Sequence, residues 1–278
     1  MGKTDLDYSA TARAFDAVAP VYDLTYGPEA NRMMAWMREE NLSILGSTFT
    51  PGSRLLEIGC GTGEEAIALA RKGYHVTVTD ISPGMVAITE EKAAAAGLSE
   101  MVTTAVSPAG RLQELQSGIS CDCAFASFGS LNCEPNIAHL GTALASLLKK
   151  GSFFVCSFMP RLSPFEITWF LLHARPGRAM RRTKPGWQIA SVSGRGNIKA
   201  EVLVRYLSPR IVQNDLGPFF AIVRSVSLGL LLPPPYLDDL YRGKRQLWRI
   251  LEPIERRLRA SRPWNSMGDH IVMVFQKT

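Results

Sequence analysis

Short apolar runs alternate with longer segments whose apolar residues recur at helical spacing. The runs at 54–58, 74–79, 101–106, 122–127 and 152–158 predict strands. The segments at 64–72, 83–96, 110–116 and 136–149 predict helices between them. Two helices precede the first strand, one over 9–23 that stops near Pro20 and one over 29–45. Ser82 followed by Pro83 is a helix start, a side-chain cap ahead of a residue that needs no amide hydrogen. Strands alternating with helices at this pitch imply βαβ units and a parallel sheet.

After Phe158 the alternation stops. Residues 164–182 read as one helix, and 187–192 with 198–206 read as a β-hairpin around Ser193-Gly194-Arg195-Gly196-Asn197. Regular elements resume with a helix at 208–216, a sixth strand at 219–228 and a seventh at 270–276. The chain therefore reads as one α/β domain over 1–278: a Rossmann-like, seven-stranded, mostly parallel sheet with helices on both faces. Two insertions, about 159–207 and 233–268, form a helix and β-hairpin cap.

The first strand carries the candidate chemistry. Leu55-Leu56-Glu57-Ile58 leads into Gly59-Cys60-Gly61-Thr62-Gly63, and a helix starts at Glu64. Glycines at such a strand-to-helix turn let a ligand approach the backbone closely. A dinucleotide fold spaces its glycines differently and seats a diphosphate on the helix N-terminus. Here Glu64 and Glu65 occupy that first turn and repel a diphosphate. Asp80 ends the next strand, where a carboxylate is placed to accept both hydroxyls of a ribose. The ligand reads as nucleoside-like without a diphosphate.

From about Phe15 to Ser157 this pattern resembles the class I S-adenosylmethionine (SAM)-dependent methyltransferases of the small-molecule type. The resemblance implies SAM as cofactor and S-adenosylhomocysteine (SAH) as product. It places Glu57, Gly59, Cys60, Gly61 and Gly63 at the methionine moiety, and Asp80 with Ile81 at the ribose. Tyr22, in Ala-Pro-Val-Tyr-Asp, closes over the cofactor, and Met85 packs on adenine or in the core. The acid that often holds the adenine amino group is missing, so Ser107 or a backbone group takes its place. Ser127 and Phe128 follow the fourth strand, at the junction of donor and acceptor.

Methyl transfer from a sulfonium needs alignment and exclusion of water, and a base only where the nucleophile carries a proton. Of four histidines, His75 lies in a strand and His139 in a helix, both structural positions. His270 opens the last strand, which runs antiparallel in this fold and so begins on the ligand side. His270 is the candidate base, Asp269 orients it, and Glu166 is a second candidate. Tyr26, Asn132, Trp169, His173 and Tyr236 are the candidate acceptor contacts. Asn132 reads equally as a turn or cap residue.

The insertions are rich in large apolar and aromatic residues, which suits a small or medium apolar or aromatic metabolite. A membrane-borne lipid or quinone-like acceptor is an alternative, and a non-catalytic SAM-binding protein another. The net charge of +6 gathers in 175–184 and 256–262. These clusters suit nucleic acid, an anionic membrane surface or an acidic substrate, or are solvated helix ends. No interleaved aromatic pattern of a nucleic-acid reader accompanies them, so nucleic acid is not the expected partner. No run is long enough to span a membrane, which leaves peripheral contact open. Five cysteines without metal spacing predict no metal site and a reducing, cytoplasmic setting. A monomer and a homodimer are both compatible with the pattern.

Overall fold

Leu55 and Leu56 are adjacent in the chain and buried in different cores, one on each face of a single sheet. A strand that buries both faces must be apolar at consecutive positions, which is why the sequence runs without alternation here. The computed structural model describes residues 8–115, 121–193 and 198–278. Two helices lead, α1 (Tyr8–Tyr26) and α2 (Arg32–Thr48). The alternating part follows as β1 (Arg54–Ile58), α3 (Glu64–Ala70), β2 (His75–Asp80), α4 (Pro83–Ala95) and β3 (Val102–Val106). A 3-10 segment at Ala109–Leu115 precedes β4 (Cys123–Ala126), α5 (Ser130–Cys133), α6 (Ile137–Leu147) and β5 (Phe153–Phe158).

The cap contributes α7 (Pro164–Leu172), α8 (Pro176–Ala179), β6 (Gln188–Ser193) and β7 (Lys199–Val204). Then come α9 (Pro209–Leu216), β8 (Phe220–Leu228), α10 (Asp238–Gly243), α11 (Arg245–Leu258) and β9 (His270–Lys277). The main sheet has the order β3-β2-β1-β4-β5-β9-β8. Its β1–β5 pairings are parallel, and β9 runs antiparallel to both of its neighbours. The start of β9 therefore lies at the carboxyl ends of β1, β2 and β4, where ligands bind in open α/β sheets.

Three local expectations change. Pro20 lies inside α1, which continues to Tyr26 and is held by packing on α4 and on the hairpin. The predicted helix over 164–182 is broken: Ala174 adopts a left-handed φ of 54° and Pro176 starts a new turn. The second helix starts three residues later than expected, because Asn31 caps it through Met34 N. The hairpin forms its own two-stranded sheet, and residues 194–197 of its loop lie outside the described residues. The side chains of Val192, Val202 and Val204 pack with Phe15 of α1, so α1 is part of the cap. The second insertion contacts α2. Asp238 accepts from Met33 N, and Arg256 and Arg259 pair with Glu40.

Candidate active site

One cavity of about 610 Å³ lies between the carboxyl edge of the sheet and the cap. Backbone geometry builds its floor. Gly59 N and Cys60 N both donate to Thr79 O, which folds the turn back over β2. Gly59, at φ 73°, sits where a Cβ would lie 2.5 Å from Ser130 Cβ, so only glycine fits there. Gly63 caps α3 at φ 78°, and a Cβ there would collide with Thr89. A Cβ on Gly61 would meet nothing within 4 Å; that face of the turn is open space.

Asp80 accepts from Gly61 N and from Ser82 N, both at 2.9 Å. Burial pushes its pKa up to about 6, against those amide hydrogen bonds. Glu65 pairs with Arg38 at 3.0 Å and Glu64 with Lys92 at 2.5 Å. The negative charge expected at the start of α3 is thus partly neutralised. Lys92 also pairs with Asp23, and Thr62 Oγ1 donates to the same carboxylate at 2.6 Å. These bonds latch α1 onto the glycine turn and bring Tyr22 and Tyr26 to the cavity, their rings 4.8 Å apart.

At the cap end, His270 Nδ1 lies 3.0 Å from Asp269 Oδ2. Asp269 Oδ1 is 2.5 Å from Arg182 Nη2, and the same nitrogen lies 2.6 Å from Glu166 Oε2. Arg182 and His270 hold the Asp269 carboxyl well below the usual carboxylate range, against the cost of burial. An ionised carboxylate only accepts, so Nδ1 of the neutral imidazole carries the proton and Nε2 keeps the lone pair. Phe128, at φ 48°, stands edge-on to the His270 ring at 5.6 Å.

The alternate-strand arrangement, the glycine turn and the acid after β2 together have close counterparts among known proteins. Residues 55–151 match the family described as "Methyltransferase domain". Over that span the chain carries a methyltransferase domain. A demethylmenaquinone methyltransferase of Beutenbergia cavernae is 34% identical to this chain over 163 residues. That alignment covers 58% of this chain and 64% of the relative, so the chain spans less than two thirds of its length. In fold, the methyltransferase domain and its cap superpose on the CcbJ methyltransferase of Streptomyces caelestis. The TM-score is 0.61 at 17% identity, over 95% of this chain and 98% of that one. The [4+2]-cyclase SpnF is similar over 100% and 99% of the two chains, with a TM-score of 0.59 at 15% identity. The likeness to these structures concerns the fold, and the site must speak for the chemistry.

The donor end of this methyltransferase domain fits SAM. Both carboxylate oxygens of Glu57, two residues before Gly59, are buried without a hydrogen-bond partner among the described residues. Burial, with Glu65 and Asp80 nearby, holds the Glu57 pKa well above the ordinary value. An unpartnered buried carboxylate beneath an open glycine turn suits a cationic ligand such as a sulfonium bearing an ammonium group.

Of the residues expected to contact the cofactor, Tyr22, Gly59, Cys60, Gly61, Asp80, Ile81, Met85, Ser107, Ser127 and Phe128 line the cavity. Glu57 and Gly63 do not line it. Of the acceptor candidates, Tyr26 and Tyr236 line it. Asn132 does not: its carboxamide is buried and spent on Met159 N, Met159 O and Arg205 O, tying α5 to the cap. Trp169 stacks between Phe165 and an exposed His173, away from the cavity. Glu166 is clamped by Arg181 and Arg182 and is not a free base.

Sequence reasoning missed the pair Tyr8–Glu134, whose side chains hydrogen-bond at 3.0 Å beside Gly110 and line the cavity near Ser107. Through Glu134 they place an acid on the cavity wall, where the segment after β3 has none. It also missed that Arg178, Arg181 and Arg182 line the cavity; a charge run gives no sign of which way it folds.

Proposed function

We propose that this protein is a SAM-dependent methyltransferase that methylates a small, apolar or aromatic metabolite and releases SAH. The observation that carries this reading is one cavity joining the Gly59–Gly63 turn and Asp80 to an apolar cap wall and His270. In this reading Asp80 receives the ribose hydroxyls, Glu57 faces the charged end of the donor, and Tyr8 with Glu134 flanks the base. When bound, SAM supplies a methyl group already activated by its sulfonium. The protein's own work is to align the acceptor, exclude water under α1 and the hairpin, and take up a proton. His270 Nε2 accepts that proton where the acceptor is an O–H or N–H group, and Asp269 stabilises the resulting imidazolium.

The test is calorimetry with SAM, SAH and NAD, followed by transfer of labelled methyl from SAM into a metabolite extract. The reading expects SAM and SAH binding, no NAD binding, and label in a low-molecular-weight product. Binding of NAD in preference to SAM overturns it, and SAM binding without any labelled product favours a non-catalytic SAM-binding protein. Transfer into RNA or DNA is not expected. A reduced cytoplasmic setting fits the free cysteines.

A second reading, a quinone-like acceptor taken from a membrane surface, is favoured by α11. That helix leaves Leu247, Ile250 and Ile254 exposed on one side, flanked by Arg249 and Arg257. No helix among the described residues is long and apolar enough to cross a membrane, so contact would be peripheral. Flotation with anionic vesicles, lost on Ile250→Glu, supports this second reading. The absence of flotation removes it.

A further inference from the structure

The cavity carries opposite charge at its two ends. At the glycine-turn end its wall includes Glu64, Glu65 and Asp80 against Arg38. At the cap end it includes Arg178, Arg181 and Arg182 against Asp269. Arg182 is buried, and its Nη2 is shared between Asp269 and Glu166. Arg181 has only a share of Glu166, at 3.2 Å, and its side chain is 45% exposed. Arg178 has no ion pair among the described residues; its guanidinium lies 5.8 Å from the Phe170 ring centroid. Three guanidinium groups thus meet two carboxylates, and the excess positive charge sits on Arg178 and Arg181 at the cavity rim.

We propose that Arg178 and Arg181 form an oxyanion subsite for the methyl acceptor. The acceptor is then an amphiphile: an apolar body on the hairpin wall of Val192, Val202 and Val204, with a carboxylate, sulfonate or phosphate at the rim. This rests on the methyltransferase reading and deepens it. Guanidinium pairs suit such groups because their donors match two oxygens at once. The polarity also sorts the two ligands. A cationic donor is attracted to the acidic end and an anionic acceptor to the basic end, and exchanging them places like charges together. Tyr206, whose ring lies 5.9 Å from the Arg181 guanidinium and 5.4 Å from that of Arg182, fixes both arginines on one wall.

Two fluorescent probes of the same apolar body test this: 8-anilinonaphthalene-1-sulfonate, an anion, and N-phenyl-1-naphthylamine, which is neutral. The protein alone is titrated with each. The wild type should bind the anion at least about tenfold more tightly, the scale of charged hydrogen bonds. Arg178→Gln with Arg181→Gln should erase that preference and leave the neutral probe unchanged. Val204→Trp, which fills the cavity wall, should weaken both probes. Equal affinities in the wild type, an anion preference that survives loss of both arginines, or undiminished binding by V204W overturns the subsite. Vesicles of phosphatidylglycerol separate a soluble anion from a lipid headgroup. An arginine pair needed for sedimentation with them but not for the anionic probe also overturns it. SAH calorimetry on the same samples reports separately on the methyltransferase reading: a wild type that discriminates the probes but does not bind SAH fails that reading alone.

Discussion

Asp269 Oδ2 sits 3.0 Å from His270 Nδ1, while Oδ1 of the same carboxylate faces Arg182. The arginine can only donate, so it fixes which oxygen must remain an acceptor. In Asp269→Asn the amide oxygen must therefore face Arg182, and the NH2 must face His270. That group donates to Nδ1, which moves the ring proton to Nε2 and removes the lone pair the base needs. D269N and His270→Gln should both lower kcat, by about 10²- to 10⁴-fold, with SAH affinity retained. Turnover by either variant at the wild-type rate with the natural acceptor removes the dyad from the chemistry.

Asp80 gives the cofactor site a pH dependence. Its pKa is raised by burial to about 6 in the free protein, and only the ionised carboxylate accepts from both ribose hydroxyls. Protonation on going below pH 6 competes with binding, so SAH affinity should fall by up to about tenfold per pH unit there and level off above. Stability runs the other way. The folded pKa lies above the unfolded value, so the ligand-free protein binds more protons when folded and loses stability between about pH 4 and 6. Calorimetry from pH 5 to 8 checks the first point. An affinity independent of pH over that range, or one that falls with rising pH, contradicts it.

The legible part of this molecule was the part governed by local chemistry. The βαβ order, the αL glycines, the Ser82 cap and the carboxylate after β2 follow from backbone rules that act within a few residues. Arg182 shows what was not legible. Its position in a run of basic residues is what a solvated helix end looks like, and only the break at Ala174 turns it inward to Glu166 and Asp269. Tyr8 and Glu134 are 126 positions apart and meet through folding of α1 across the sheet edge. Asn132 and Trp169 had the right residue types at plausible places. Hydrogen bonds to the cap backbone consume the first, and stacking on Phe165 consumes the second.

Glu57 should show a trade between stability and binding. Both oxygens lack partners, and its pKa is held well above the ordinary value. A raised folded pKa means that Glu57 destabilises the ligand-free protein increasingly as pH rises above its unfolded value of about 4.3. Glu57→Gln removes that penalty. The ligand-free variant should melt at a higher temperature than wild type at pH 8, with the difference shrinking towards pH 5. Its SAH affinity should be weaker by about 10- to 100-fold, the scale of lost charged hydrogen bonds. Thermal melts with and without SAH measure both quantities. A variant that melts lower than wild type at pH 8 and binds SAH equally well rules out this role for Glu57.

Arg182→Met isolates the network that positions the dyad. The arginine is buried between Glu166 and Asp269, and methionine fills comparable space without charge. Removing one side of a buried ionic network leaves the other side uncompensated, at a cost of about 3–5 kcal/mol. Asp269 is then left with His270 and Glu166 with Arg181, and the two carboxylates relieve the remaining cost by taking up protons. The penalty should therefore be largest at neutral pH and shrink as the pH falls towards 4–5. Adding Glu166→Gln should recover part of the loss at neutral pH, since the carboxylate left with only the half-exposed Arg181 is then gone. Urea unfolding at several pH values measures the difference. A penalty independent of pH would mean that arginine packing on Tyr206, and not its charge, holds the cap to β9.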